Sequence, residues 1–127
     1  MASRRSALAR VRFLGSAKDG TGHWWAQRLT ALALVPLCLW FVASIVMLAG
    51  ADHGQVVAWI GRPVPAILMV LLIVATFHHA QLGLQVVIED YVHEPALRFA
   101  AIILVKLAAV ALGVAGAFAV LRIAFGG

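Results

Sequence analysis

Three long apolar stretches, at residues 29–49, 64–88 and 99–121, dominate the pattern of hydrophobic and polar positions along the chain. A helix of about 20 apolar residues crosses roughly 30 Å of membrane hydrocarbon, so each stretch is long enough for one span. Short polar connections, around residues 50–63 and 89–98, separate the three stretches. The stretches lack the alternation of barrel strands, and a lipid-facing backbone must satisfy its hydrogen bonds internally. The pattern therefore predicts an all-α membrane protein with three transmembrane helices.

Composition and charge support a membrane location. Of the 127 residues, 64% are hydrophobic and only 12% are charged, which leaves too few polar residues to cover a soluble domain. The net charge is +5. The basic residues that precede the first apolar stretch are Arg4, Arg5, Arg10, Arg12, Lys18 and Arg28. Because no basic stripe interleaved with aromatic residues follows, this charge does not indicate nucleic-acid binding.

The same basic residues predict how the chain is oriented. Cytoplasmic segments carry an excess of Lys and Arg, so we expect residues 1–28 to form an N-terminal segment on the cytoplasmic or matrix side. Residues 29–127 then form a three-helix anchor domain, with the connection at 89–98 on the same side as the N-terminus. Three helices enclose little, so we expect the chain to pack against a second membrane subunit. The single cysteine, Cys38, excludes disulfides and cysteine-based metal sites within the chain.

Two adjacent histidines lie in the second span, where polar groups are costly unless they have partners. At about 100° per residue, His79, Gly83 and Asp90 share one helix face. His78 points about 100° away from His79. Gly83 removes a side chain one turn after His79, where a flat macrocycle can lie against the backbone. A neutral imidazole in these surroundings suits axial ligation of heme iron, although His79 can equally serve as a hydrogen-bonding residue between helices.

Asp90 and Tyr91 end the second span at the predicted cytoplasmic interface, roughly 16 Å along the helix axis from His79. A carboxylate and a phenol at this depth can hydrogen-bond a quinone carbonyl and manage its protons. The alternative is an ordinary interface tyrosine beside a carboxylate that solvates a helix end. Arg28 either pairs with an anion, such as a heme propionate or Asp90, or only extends to the interface as one of the basic residues of the cytoplasmic segment. Lys106 lies within the third span, where it must snorkel, pair or line a polar cavity.

The second span resembles the second-helix signature of the small hydrophobic membrane anchor subunits of succinate dehydrogenase (succinate:ubiquinone oxidoreductase, respiratory complex II). In that family a His is followed by a Gly one turn later, and an Asp-Tyr pair closes the helix. This chain has the same residues at the same spacing in His79, Gly83, Asp90 and Tyr91. Residues 20–31, in which Arg28 precedes the first span, are also similar to the family's lead into its first helix.

The resemblance implies a set of site residues and partners. It matches His79 to the axial ligand of the iron of heme b, with the second His supplied by the larger cytochrome b anchor subunit. It matches Tyr91 to the hydrogen-bond donor to ubiquinone and Asp90 to its supporting neighbour. Arg28 matches a residue near the heme propionates and the quinone. The additional His78 departs from the family pattern, and the spacing to Asp90 favours His79 as the ligand.

The family also implies a location and an assembly. The flavoprotein and iron–sulfur subunits are expected to dock on the cytoplasmic face of an anchor in a bacterial or mitochondrial inner membrane. The chain has no nucleotide-binding glycine motif and no cluster cysteines, so we expect succinate oxidation to take place in those other subunits. Its own role would be to hold half of the heme ligation, to site the quinone and to tether the soluble head.

Three other functions stay open from the sequence. An anchor of a quinol:fumarate reductase would share these features and run the reaction in the opposite direction. A non-redox membrane scaffold would use His79 only for packing. A transporter subunit would place Lys106 and Asp90 on an ion path.

Overall fold

The computed structural model describes residues 2–126 of the chain, with side chains from residue 20 onward. Within these residues there are four helices: α1 (Ala2–Met47), α2 (His53–Ile60), α3 (Pro63–Tyr91) and α4 (Pro95–Ala124). The part of α1 from Gly20–Met47 and the whole of α3 and α4 are long and apolar enough to cross a membrane. The structure thus confirms the prediction of an all-α protein with three transmembrane helices.

The helices extend beyond the apolar stretches that predicted them. α1 begins at Ala2 and continues without a break through residue 29, where the sequence predicted the start of the first span. α3 and α4 each begin with a proline in the first turn, where the missing N–H costs no helical hydrogen bond. Glu94 caps α4 by accepting hydrogen bonds from the backbone N–H groups of Ala96 and Leu97. The predicted orientation rests mostly on residues whose side chains the structure does not describe: Arg4, Arg5, Arg10, Arg12 and Lys18.

The connection between the first two spans contains a short helix that the apolar pattern did not predict. Asp52 is the N-cap of α2, and its side chain accepts a hydrogen bond of 2.8 Å from the backbone N–H of Gln55. The Gln55 side chain in return accepts one of 3.0 Å from the backbone N–H of Asp52, which completes a capping box. The ring of Trp59 stacks on Trp40 of α1 with centroids 5.6 Å apart. These polar residues therefore cap a helix whose Trp59 ring contacts α1 and whose backbone contacts α3 and α4.

α3 lies between the other two spans. α1 packs against it and so does α4, while α2 contacts both α3 and α4. Among the described residues, α1 and α4 make no close backbone contact with each other, so the three spans form a row rather than a closed bundle. The few residues that this row buries are Ser44, Ala66, Leu72, Leu82 and Val120. Most large apolar side chains stay exposed and must face lipid or another subunit.

Glycines let α4 approach α3 closely. A Cβ added at Gly116 would lie 3.1 Å from Cγ2 of Ile73, and one added at Gly113 would lie 3.7 Å from Cβ of Phe77. Small residues stabilise helix pairs in membranes by allowing such close approach. At Gly83 an added Cβ would meet nothing within 4 Å. Gly83 therefore makes no close contact inside the described part of the chain.

Candidate functional site

His79 projects from α3 toward α1 and meets Thr30. Its Nδ1 lies 3.0 Å from Oγ1 of Thr30, so a hydrogen bond joins the two helices. The same hydroxyl lies 2.8 Å from the carbonyl oxygen of Ala26 and 3.0 Å from that of Gln27. Within residues 20–126, Nε2 of His79 has no hydrogen-bond partner. One nitrogen of the imidazole is thus held between helices and the other is available.

Thr30 lies on the side of α1 that packs against α3. A regular series of buried and half-buried residues, which we call the α1 stripe, follows this side of the helix at alternating spacings of four and three. It consists of His23, Gln27, Thr30, Leu34, Leu37, Phe41 and Ser44. This is the heptad spacing by which two helices pack along a common seam. Among the described residues, α3 is the only span that α1 contacts, so the stripe holds Thr30 beside His79.

His78 faces α4 instead. It lines a groove of about 450 Å³ between α3 and α4, in which the other polar residues are Gln81 and Lys106. The rest of the lining is apolar: Val74, Phe77, Ala109, Val110, Gly113, Val114 and Ala117. The structure thus confirms that the two adjacent histidines do not point into one cavity. It places Lys106, for which the sequence left three possibilities, in this groove with its side chain exposed.

Polar side chains continue from this groove toward the C-terminal end of α3. Nε2 of Gln81 donates to Oε1 of Gln85 at 3.2 Å, and Nε2 of Gln85 donates to Oε1 of Glu89 at 3.1 Å. Each pair is four residues apart, the spacing at which side chains meet on a helix surface. The two glutamines of the second span therefore satisfy part of their hydrogen-bonding capacity within α3, and neither of these bonds involves His79.

Asp90 and Tyr91 lie in the last turn of α3, which ends at Tyr91. Both side chains are exposed, that of Tyr91 to 78%. Within residues 20–126 neither has a hydrogen-bond or ionic partner, so both are free to contact a molecule outside the chain. With a rise of about 1.5 Å per residue, Asp90 is roughly 16 Å along α3 from His79.

The structure does not bring Arg28 together with Asp90. The Arg28 guanidinium lies over Trp24, 5.1 Å from the ring centroid, and Trp24 meets Trp25 edge to face. Arg28 is exposed, and none of the acidic residues between positions 20 and 126 forms an ion pair with it. The pairing with Asp90, one of the alternatives that the sequence left open, is therefore absent, and the guanidinium is available to an anion outside the described residues.

A buried nitrogen of His23 is a feature that the sequence interpretation missed. Nε2 of His23 is buried and has no hydrogen-bond partner within residues 20–126. Leaving such a group unpaired costs free energy, so it calls for a partner from outside. His23 belongs to the α1 stripe, roughly 10 Å along α1 from Thr30. His23 lies seven residues before Thr30 on the same helix face, and this spacing is the sequence signal from which it could have been identified.

The donor set around His79 fits heme iron better than a metal held by protein ligands alone. Within residues 20–126, no three His, Cys, Asp or Glu side chains form a group that could hold a metal ion, so a metal at His79 would have one protein ligand from these residues. Heme iron asks a protein only for axial ligands, because the porphyrin fills the remaining positions. The open space beside Gly83, one turn after His79, leaves the backbone accessible to a flat ring. These residues fit one half of a heme site.

The chain is similar to known membrane subunits. The family model described as succinate dehydrogenase/fumarate reductase transmembrane subunit matches residues 2–113. A succinate dehydrogenase hydrophobic membrane anchor subunit from Rickettsia bellii is 37% identical over 103 residues, which cover 81% of this chain and 82% of that protein. The subunit of the same name from Paracoccus denitrificans is 34% identical over 113 residues, which cover 89% of this chain and 87% of that protein. No solved structure matches the chain significantly.

A further relative widens the range of organisms. A succinate dehydrogenase membrane anchor subunit from Reclinomonas americana is 29% identical over 96 residues, which cover 73% of this chain and 80% of that protein. The relatives thus come from bacteria and from a mitochondrial-type genome, and all three are named as membrane anchors. Together with the three apolar helices, they make the chain a multi-pass protein of an inner membrane.

Proposed function

The chain belongs to the family of succinate dehydrogenase/fumarate reductase transmembrane subunits, and from this premise we propose that it holds one axial ligand of heme b and part of a ubiquinone-reduction site. The role of membrane anchor follows from the family and from the names of its relatives. The observation that supports heme ligation is the contact between His79 and Thr30. It occupies Nδ1 and leaves Nε2 without a partner in the described residues.

His79 is the residue that would hold the heme. When bound, heme b supplies an iron that accepts and returns an electron. Nε2 of His79 is the atom available for ligation, and Gly83 leaves room beside it. His78 faces the groove toward α4 and does not join His79 on the same side of α3. We therefore assign the second axial histidine to the partner cytochrome b anchor subunit.

Tyr91 and Asp90 would form this chain's share of the ubiquinone site. The Tyr91 hydroxyl donates a hydrogen bond to a quinone carbonyl, and the neighbouring Asp90 carboxylate supports the protonation that accompanies reduction. Support for this assignment comes from their exposure and from the lack of internal partners at the end of α3. Arg28, whose guanidinium has no acidic partner among the described residues, is available to a heme propionate or to the quinone.

The open row of helices supports a role in a larger assembly. Large apolar side chains are exposed along all three spans, so the chain has room for lipid and for a second anchor subunit. We assign the flavoprotein and iron–sulfur subunits to the cytoplasmic face, where α3 presents Asp90 and Tyr91. Electrons from succinate would reach the quinone there through the flavin and the iron–sulfur clusters of those subunits.

A second candidate function, that of a fumarate reductase anchor, differs from the first in the direction of the reaction. The family model covers both succinate dehydrogenases and fumarate reductases, so it fits an anchor that runs in either direction. The named relatives are succinate dehydrogenase subunits, which favours succinate oxidation. A scaffold or transporter subunit would need neither a free Nε2 on His79 nor an unpartnered phenol at the end of α3.

Purification of the tagged chain in mild detergent tests the proposal. We expect the flavoprotein, iron–sulfur and cytochrome b subunits to copurify, with b-type bands in the reduced-minus-oxidised absorbance spectrum and succinate-dependent ubiquinone reduction. A chain that purifies without these subunits and without b-type bands would act as a scaffold or transporter, and the proposal would be wrong. A complex that reduces fumarate faster than it oxidises succinate would favour the fumarate reductase.

A further inference from the structure

We propose that Thr30 is a positioning residue for the heme ligand: its hydroxyl accepts a hydrogen bond from Nδ1–H of His79 and so fixes the tautomer in which Nε2 can bind iron. The inference rests on the proposed ligation by His79 and adds a residue from another helix to that site. It starts from the 3.0 Å contact between Oγ1 of Thr30 on α1 and Nδ1 of His79 on α3. Both groups are part-buried, so the hydrogen bond is partly shielded from water.

The surroundings of the Thr30 hydroxyl decide which group donates. Its oxygen lies 2.8 Å from the carbonyl oxygen of Ala26, 3.0 Å from that of Gln27 and 3.0 Å from Nδ1 of His79. Carbonyl oxygens can only accept, and a helical threonine commonly donates its single proton to the carbonyl one turn earlier. The lone pairs of the hydroxyl oxygen are then left for the third neighbour. In this arrangement Nδ1 of His79 carries the proton and donates it.

This direction determines the state of the other ring nitrogen. In a neutral imidazole one nitrogen carries the proton and the other carries a lone pair. With the proton on Nδ1, His79 presents the lone pair of Nε2, which is the form that binds a metal. Histidines that ligate metals generally donate their second N–H to an oxygen, which fixes the ring orientation and makes the ligand more basic. Thr30 supplies that oxygen.

The packing of α1 against α3 places the acceptor. Thr30 belongs to the α1 stripe, and its double contact with the carbonyls of Ala26 and Gln27 holds the hydroxyl against its own helix. The hydroxyl therefore presents a fixed lone pair to the neighbouring span. The orientation of the His79 ring depends on this contact between α1 and α3 rather than on α3 alone.

Ser44 provides a matched comparison on the same helix. Its hydroxyl donates to the carbonyl oxygen of Trp40 at 2.7 Å, in the same pattern of one turn back, and Ser44 is buried in the same α1 stripe. Within the described residues it has no ring nitrogen as a partner. Removal of the Ser44 hydroxyl therefore reports the cost of losing such a bond to the backbone without any effect on His79.

The test replaces Thr30 in the assembled complex and measures the heme itself. We expect Thr30→Val, which keeps the shape and removes the acceptor, to weaken heme retention by roughly 10-fold or more, as loss of such a partner does at other metal sites. The midpoint potential should rise, because a less basic imidazole stabilises ferric iron less. Thr30→Ser, which keeps the hydroxyl, should restore both properties, and Ser44→Ala should leave both unchanged.

The readouts are heme content, redox titration and the low-temperature electron paramagnetic resonance spectrum of the oxidised heme. The variant His79→Ala distinguishes failure of the proposed heme site from failure of the proposed role of Thr30. An unchanged heme spectrum in His79→Ala means that His79 is not the ligand, so the proposed heme site is wrong. A disturbed spectrum in His79→Ala together with unchanged heme content, potential and resonance in Thr30→Val overturns the role of Thr30. If Thr30→Val does not assemble, Thr30→Ala, which adds no bulk, replaces it in the test. We expect the same effects on heme retention and midpoint potential.

Discussion

A polar side chain in a membrane span depends on its partner, and within the described residues only His79 of the two adjacent histidines has a hydrogen-bond partner. His79 shares a hydrogen bond with Thr30 on α1, while His78 is exposed in the groove that also contains Lys106. Adjacent positions differ by about 100° around a helix, so only one of the two imidazoles can face α1. His79 is therefore oriented by the protein before any ligand binds, and His78 has no such constraint from α1.

Replacement of Tyr91 by Phe tests the quinone site at the scale of one residue. The Tyr91 hydroxyl is exposed and has no partner within the described residues, so its removal costs the fold no internal hydrogen bond. We expect Tyr91→Phe to lower succinate–ubiquinone reductase activity by about 10-fold, the factor that corresponds to roughly 1.4 kcal/mol of lost binding to the transition state. The measurement is steady-state ubiquinone reduction by the purified complex.

Two properties of the same variant act as controls. Succinate oxidation with an artificial acceptor that takes electrons from the soluble head should match that of the wild type. The b-type absorbance should also stay unchanged, because Tyr91 lies at the end of α3, well away from His79. Wild-type quinone turnover in Tyr91→Phe would show that the phenol does not contact the substrate.

At the scale of the helices, α3 packs through two different kinds of surface. Toward α1 it meets the α1 stripe, whose heptad spacing includes the polar residues His23 and Thr30. Toward α4 it meets small residues, where Gly113 and Gly116 allow close contact with Phe77 and Ile73. The first surface positions the candidate ligand, and the second sets the distance between α3 and α4.

Gly116→Leu tests the close contact between α3 and α4. Because even a Cβ at this position would lie 3.1 Å from Cγ2 of Ile73, a leucine forces the helices apart or strains the side chains. Overpacking of this kind costs about 1–3 kcal/mol, so we expect a lower midpoint of thermal unfolding in detergent. Ala115→Leu, at an exposed neighbouring position of α4, is the matched control and should unfold at the wild-type temperature. Equal unfolding midpoints for both variants would contradict the packing described for Gly116.

At the scale of the whole molecule, the row of three spans leaves α3 uncovered on its two open faces. This arrangement explains why so few residues are buried and why large apolar side chains such as Leu104 and Phe118 are exposed. A second anchor subunit can reach α3 directly between α1 and α4. The orientation of the row in the membrane, with the N-terminus on the cytoplasmic side, stays a prediction from the charge distribution.

The sequence predicted the spans well, because membrane crossing depends on the length and apolarity of a stretch, which are local properties. It missed α2, because a helix of 8 residues is too short to cross a membrane and its start depends on the capping box of Asp52 and Gln55. Helical periodicity correctly separated His79 from His78. It did not identify Thr30 as a partner, because that contact joins positions 49 residues apart and depends on how α1 and α3 pack.

The reduced-minus-oxidised absorbance spectrum of the purified complex, recorded for His79→Ala beside His78→Ala, tests the central claim most directly. Both variants remove one imidazole from the same span, and only His79 faces α1. We expect His79→Ala to lose or shift the b-type bands and His78→Ala to retain them. Unchanged bands in His79→Ala, or a loss confined to His78→Ala, would contradict the assignment of His79 as the heme ligand.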